Sequence, residues 1–172
     1  TGLAVLPIPL EKDGHLALVT VGHARLGTAA FGITPGDAEI MATLRSDDQA
    51  VLNDLKQRAE SLAQRVSQKH GLGLEVFWSE EFPVTWNHAA AADLVDSAAE
   101  ELGLTCVRPD ESPFRWSEDC GHLLALGKGA MFGLGAGENH SPLHAESFDF
   151  NDDLLVIGVA MLDKLRQHVG RS

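Results

Sequence analysis

The chain has little with which to build covalent cross-links: two cysteines, Cys106 and Cys120, in 172 residues. Two give no readable disulfide framework, and both lie in apolar or helical surroundings, which suits a reducing compartment. No apolar run approaches the roughly 18 residues of a membrane span. The first ten residues lack the basic n-region of a secretory signal. A cytoplasmic location and no membrane partner are therefore expected. Positive charge is also short. Thirteen Lys and Arg against 25 Asp and Glu leave a formal net charge of −12, which repels a phosphate backbone and argues against a nucleic-acid partner. Internal repeats and low-complexity tracts are missing. Position 1 is not a methionine, which points to processing or truncation. Against these absences stand 44% apolar and 22% charged residues, an ordinary globular balance in a chain long enough to bury a core without staples.

The opening residues 1–9 carry two prolines and read as an irregular lead-in. A β-type run covers residues 15–23, and a second, residues 38–45, alternates Ile40, Ala42 and Leu44 against Glu39, Met41 and Thr43. The connector Gly32-Ile33-Thr34-Pro35-Gly36-Asp37 has turn chemistry, so an antiparallel hairpin is expected. Ser46 followed by Gln49 forms a capping-box pattern. Asp47 and Asp48 suit the positive end of a helix dipole. Val51, Leu52, Leu55, Leu62, Ala63 and Val66 recur at helical spacing, and Gly71 is placed to end the helix. A strand is expected at 74–78. Residues 15–79 thus read as an antiparallel α+β unit, with a crossover at 80–86.

From residue 86 to 169 the pattern alternates helix and strand, which implies an α/β layer. Asn87 is placed to cap a helix with Leu94, Val95, Ala98, Ala99 and Leu102 inward and Gly103 at its end. Strands are expected at 104–108 and 130–134, and a polar loop at 109–113. Ser117 is expected to start a short helix reaching about Leu126. Asn151 is expected to start a last helix with Asp152 and Asp153 in its first turn and Lys164, Arg166 and His168 near its end.

Four stretches could carry chemistry. In His140-Ser141-Pro142-Leu143-His144 two histidines lie four apart in a loop, near Glu138, Glu146 and Asp149. Neutral imidazole is the commonest metal ligand, and carboxylates can orient it; a solvated loop explains the same residues. No HExxH and no paired-cysteine motif supports a closed zinc site. Glu118-Asp119-Cys120-Gly121-His122 reads as a buried thiol on a capped helix, since consecutive helix positions do not make a Cys–His nucleophile pair. Gly133-Leu134-Gly135-Ala136-Gly137 follows a strand, but no helix opens after it, so a dinucleotide fingerprint fails. Close backbone approach to a ligand at Gly135 and a plain turn both remain open. Arg45 ends a strand, where a guanidinium can clamp a carboxylate bidentately or pair with Asp47 or Asp48.

Two ordered blocks carry a resemblance. The first is Ala17-Leu18-Val19-Thr20-Val21-Gly22, Gly27, Ile33-Thr34-Pro35-Gly36-Asp37-Ala38-Glu39 and Ala42-Thr43-Leu44-Arg45. It resembles the dimerisation-lid domain of the zinc amidohydrolase and aminoacylase family, which includes hippurate hydrolases, auxin-conjugate hydrolases and carboxypeptidase-G-like enzymes. The second is Ser117-Glu118-Asp119, Phe132-Gly133-Leu134-Gly135-Ala136-Gly137, Pro142-Leu143-His144 and Phe148-Asp149-Phe150. It is similar to the C-terminal end of the family's catalytic domain. The resemblance implies residues 1–80 as part of the lid domain and 81–172 as the C-terminal part of the metal-binding domain. It implies a homodimer, a small N-acyl amino acid or peptide as substrate, and two divalent metals, zinc or manganese. Those metals would activate water while a glutamate moves the proton. His144 resembles the final metal-ligand histidine, Arg45 the lid arginine that holds a substrate carboxylate, and Gly135 a backbone position close to substrate.

The departures from the family are specific. Its first metal motif and its Glu-Glu pair do not occur in this sequence; Glu80-Glu81 stands at the lid exit instead. Cys120-Gly121-His122 echoes a Cys-Gly-His motif in the wrong place. Gly32 replaces the asparagine that commonly polarises substrate, and the lid histidine is missing. One ligand, His144, cannot hold a catalytic zinc, which takes about three from protein. The expectation is the C-terminal part of an amidohydrolase, with no tightly bound metal and no catalysis by this chain alone. The competing readings are a stand-alone interaction domain of that descent and an enzyme that uses His140, His144 and nearby acids.

Overall fold

A computed structural model describes residues 14–107, 114, 119–141, 143 and 145–170. The lead-in, the loop at 109–113, Ser117, Glu118 and His144 lie outside the described residues. The described residues form an antiparallel two-stranded sheet with four helices, and group into two compact units, one reaching to Val84 and including Phe114 and Asp119, the other made of Thr85 to residue 107 and the residues from Cys120 on.

The first unit is a hairpin against a long helix. Strand β1 (Ala17–Leu26) pairs antiparallel with β2 (Ala38–Ser46), from Ala17 opposite Ser46 to Leu26 opposite Ala38. The register slips by one residue between Val21 and His23. The Gly27 amide donates to the Asp37 carbonyl at 2.8 Å and closes the ladder. Gly27 has φ of 57°, and a Cβ there would lie 3.0 Å from the Pro35 Cβ, so this corner requires glycine. Alternation along the strands sends Ala17, Val19 and Leu44 to one face. There they meet Val51, Leu55, Ala59 and Leu62 of helix α1 (Gln49–His70), with Leu55 only 1% exposed.

Helix α1 starts two residues later than the capping-box pattern predicts. Asp48 is the N-cap and accepts from the Val51 amide at 2.9 Å. Ser46 Oγ donates to the Leu16 carbonyl and accepts from the Asp48 amide, so it fastens the hairpin rather than the helix. Both residues carry cap-competent oxygens, and the carboxylate is the better acceptor for the positive helix end. Gly71, in the left-handed region, ends the helix as expected. The strand expected at 74–78 does not form. Leu72, Leu74, Val76 and Phe77 are exposed, and Trp78 is fastened to α1 side chains instead of a sheet edge.

The second unit contains α2 (Ala89–Glu101), α3 (Cys120–Leu124) and α4 (Asp153–Val169). Ala98 and Ala99 of α2 pack on Met161 of α4, with Val95, Leu102, Leu104, Phe132 and Leu165 around them. Small residues on α2 let the helices approach closely. Gly103, at φ of 68°, turns the chain out of α2. The Asn87 side chain does not cap α2; it brackets the Met131 backbone, donating to the carbonyl at 2.9 Å and accepting from the amide at 2.8 Å. Asn151 does serve the start of α4, accepting from the Asp153 amide at 3.1 Å. Among the described residues, 104–107 and 130–134 are not strands. Leu104 and Phe132 pack on the core while Val107 is exposed, no neighbouring strand pairs with either segment, and a strand exists only through its partner.

Candidate functional site

Arg45 stands near the end of β2, opposite Leu18. Its neighbour Leu44 faces α1, so alternation puts Arg45 on the opposite face of the hairpin. Its Nε is buried and has no hydrogen-bond partner among the described residues. The two nearby carboxylates are occupied elsewhere. Asp47 accepts from the Leu16 amide at 2.7 Å and lies 3.5 Å from His15 Nδ1. Asp48 caps α1. The intramolecular pairing that could have neutralised Arg45 is thus absent among the described residues. A buried guanidinium nitrogen without an acceptor is costly, so Arg45 keeps a hydrogen-bonding demand that its neighbours among the described residues do not meet. His15, which sequence reasoning did not single out, is brought to this end of the hairpin by Asp47. Its only signal is its place just before β1, facing the start of α1.

The second candidate cluster is in the other unit. His140 is half-buried, its Nδ1 lies 2.9 Å from the Ser141 carbonyl, and its ring meets Phe148 edge-on at 5.3 Å. One ring nitrogen, Nε2, is left to face a ligand. Ser141 and Ser147 hydroxyls lie 3.1 Å apart. His144 is outside the described residues, and among those described no group of three His, Cys, Asp or Glu could hold a metal ion. Among the described residues, His140 with its serine and phenylalanine neighbours offers too few donors to hold a divalent metal by itself. At Gly135 the backbone is ordinary and an added Cβ would meet open space, whereas Gly137 has φ of 102°. Within the glycine run, it is Gly137 whose backbone requires glycine. Cys106 is exposed and Cys120 partly buried, and neither is in a disulfide. Cys120 and His122 stand on α3, and Gly121 between them is buried.

Residues 9–168 match Peptidase family M20/M25/M40, and the chain belongs to that family. It is similar to the N-acetyldiaminopimelate deacetylase of Lacticaseibacillus casei, with 29% identity over 88% of this chain and 39% of the relative. The hippurate hydrolase of Campylobacter jejuni is 29% identical over 87% of this chain and 39% of its own length. An N-acetyldiaminopimelate deacetylase of Streptococcus pneumoniae is 31% identical over 84% and 38%. The chain thus spans about two fifths of the length of these relatives. No solved structure matches it. The amidohydrolase and aminoacylase resemblance read from the two sequence blocks agrees with this family.

Proposed function

We propose that this chain supplies the lid and the C-terminal catalytic portion of a metal-dependent amidohydrolase that hydrolyses N-acyl amino acids or small peptides. Arg45 holds the substrate carboxylate. The observation that carries this reading is the buried, unpartnered Arg45 Nε beside two carboxylates already committed to other groups. The names of the relatives support the substrate class, since an N-acetylated amino acid and hippurate each pair an amide with a carboxylate.

In this reading residues 1–80 belong to the lid and 81–172 to the catalytic part. The extended segments 104–107 and 130–134 become strands of an α/β layer when partner strands lie beside them. His144 contributes one ligand to a centre of two divalent metals, zinc or manganese, and Gly135 lets substrate approach the backbone. The other ligands and the proton-moving glutamate come from outside this sequence, so the chain alone binds substrate and does not turn it over. Two copies associate through the hairpin unit, where Val21, Ile40 and Met41 are exposed on a two-stranded sheet with open edges. The test is calorimetric binding of an N-acyl amino acid to the chain and to its Arg45→Ala variant. Binding that is lost in the variant supports the reading; equal binding by both, or none by either, overturns the assigned role.

A further inference from the structure

The segment that leads into the glycine run is held from the start of α2, inside the second unit. The His88 amide donates to the Gly129 carbonyl at 2.9 Å. The Asn87 side chain takes both backbone groups of Met131: Nδ2 donates to the carbonyl at 2.9 Å and Oδ1 accepts from the amide at 2.8 Å. Directly opposed residues of an antiparallel pair exchange two bonds in this way, so one side-chain amide stands in for one residue of a neighbouring strand. An asparagine beside a helix start commonly caps it. Here His88 is the N-cap and no side chain caps α2, because the Asn87 amide is committed to Met131.

Further along, Phe132 packs on the cluster of Ala98, Ala99 and Met161. Leu134 lies against α4 at Gly158, where an added Cβ would come within 3.3 Å of its Cδ1. Gly129 and Met131, two apart, are both held from residues 87 and 88, which is the period of an extended chain. Continued along the segment, that period reaches Gly133 and Gly135. Their backbone groups have no hydrogen-bond partner among the described residues, and a Cβ added at either would meet open space. The backbone is thus pinned at Met131 and open to approach immediately after it.

We propose that Asn87 is a positioning residue: its two-way pairing with Met131 fixes where the Gly133 and Gly135 peptide groups are offered to the amide of an N-acyl amino acid. The ligand class rests on the hydrolase reading, whereas the clamp rests on hydrogen bonds within this chain. The role demands an amide side chain. Asparagine carries a donor and an acceptor on one planar group, an ionised aspartate only accepts, and alanine does neither. An aspartate here would keep the Met131 amide bonded but set a negative charge against the Met131 carbonyl.

The test is amide hydrogen exchange and ¹⁵N spectra of the full chain, without and with hippurate. In the unaltered chain the Met131 amide should exchange more slowly than those of Gly133 and Gly135, and hippurate should shift both glycines. Asn87→Ala should release the Met131 amide, move the Gly133 and Gly135 resonances, and weaken hippurate binding about fivefold to tenfold, the loss that follows from forfeiting one hydrogen bond's net contribution. Asn87→Asp should keep the Met131 amide protected yet move the glycines and weaken binding as alanine does. A general loss of stability does not produce that split, and Asn87 is exposed, so neither variant touches the core. Changes that stop at Met131 in both variants, or hippurate binding that both leave intact, would overturn the positioning role without touching the hydrolase reading. Hippurate that shifts nothing in the unaltered chain would sink that reading and the ligand named here, while the glycine resonances of the variants still uphold or overturn the clamp. A Met131 amide that exchanges as fast as the two glycines in the unaltered chain overturns the clamp without any variant.

Discussion

Leu55→Ala should damage the first unit more than any other single truncation on α1. Leu55 is 1% exposed and touches both strands through Ala17, Val19 and Leu44. Its removal deletes three carbons from water-free surroundings, about 2.5 kcal/mol at roughly 0.8 kcal/mol per carbon. A cavity term adds to this, within the measured range of about 2–5 kcal/mol for Leu→Ala. The hairpin covers one side of α1 only, so the site can partly collapse, and the lower half of that range, about 2–3 kcal/mol, is expected. Val66→Ala on the same helix, at a 43% exposed position, should cost under about 1 kcal/mol. The assay is urea unfolding followed by far-ultraviolet circular dichroism. With a slope of about 2 kcal/mol/M, the Leu55→Ala midpoint should fall by about 1 M at constant slope. Equal midpoints for the two variants would show that α1 does not pack on the hairpin through this face.

Other perturbations follow from the same structure. Asp48→Ala should lower stability by about 1 kcal/mol through loss of the α1 cap, while Asp48→Asn retains most of it; thermal melts distinguish the two. Gly27→Ala should cost roughly 1–3 kcal/mol because of its positive φ and the close Pro35 side chain, and a neutral result by chemical denaturation would contradict the corner geometry. Glu101 lies 3.1 Å from both Lys164 and His168, and the Lys164 hydrogen bond, aided by both positive charges, holds its carboxyl below the ordinary value of 4.5. A lowered carboxylate pKa stabilises above the ordinary value and is lost as pH falls through the lowered one, so Glu101→Gln should flatten the acid limb of a stability–pH curve. In a protein completed with the N-terminal half of a relative, Arg45→Ala should mainly raise KM and His144→Ala mainly lower kcat, and the opposite split in steady-state kinetics would reverse the assigned roles.

The hairpin and α1 were legible because two periods, alternation and the helical repeat, occur side by side with glycine and proline between them. The caps were legible only to within a residue or two. Ser46, Asp47 and Asp48 all offer oxygens, and which one faces the helix is decided by the Leu16 backbone, thirty residues away, that engages the other two. Residues 74–78, 104–108 and 130–134 have strand composition, yet composition does not supply the neighbouring backbone that makes a strand. In the first case Glu60 and Lys56 took hold of Trp78 instead, a side-chain event with no sequence period. At the site, Arg45 was legible as a strand-end cation, but the commitment of Asp47 and Asp48 to other partners needed coordinates. Gly135 was singled out for its glycine run, whereas the backbone demand falls at Gly137. His144 stood out beside His140 by spacing, its role as a metal ligand came only through the family motif, and it lies outside the described residues.

The central claim is that this chain binds a carboxylate-bearing acylated amino acid through Arg45 without hydrolysing it. The most direct test incubates the chain, with zinc, manganese or cobalt supplied, with a hippurate-like substrate, and records substrate-induced shifts at Arg45 together with released product. The account predicts saturable shifts that vanish in Arg45→Ala and no product from the chain alone. Product formation by the chain alone, abolished by a chelator, would contradict it.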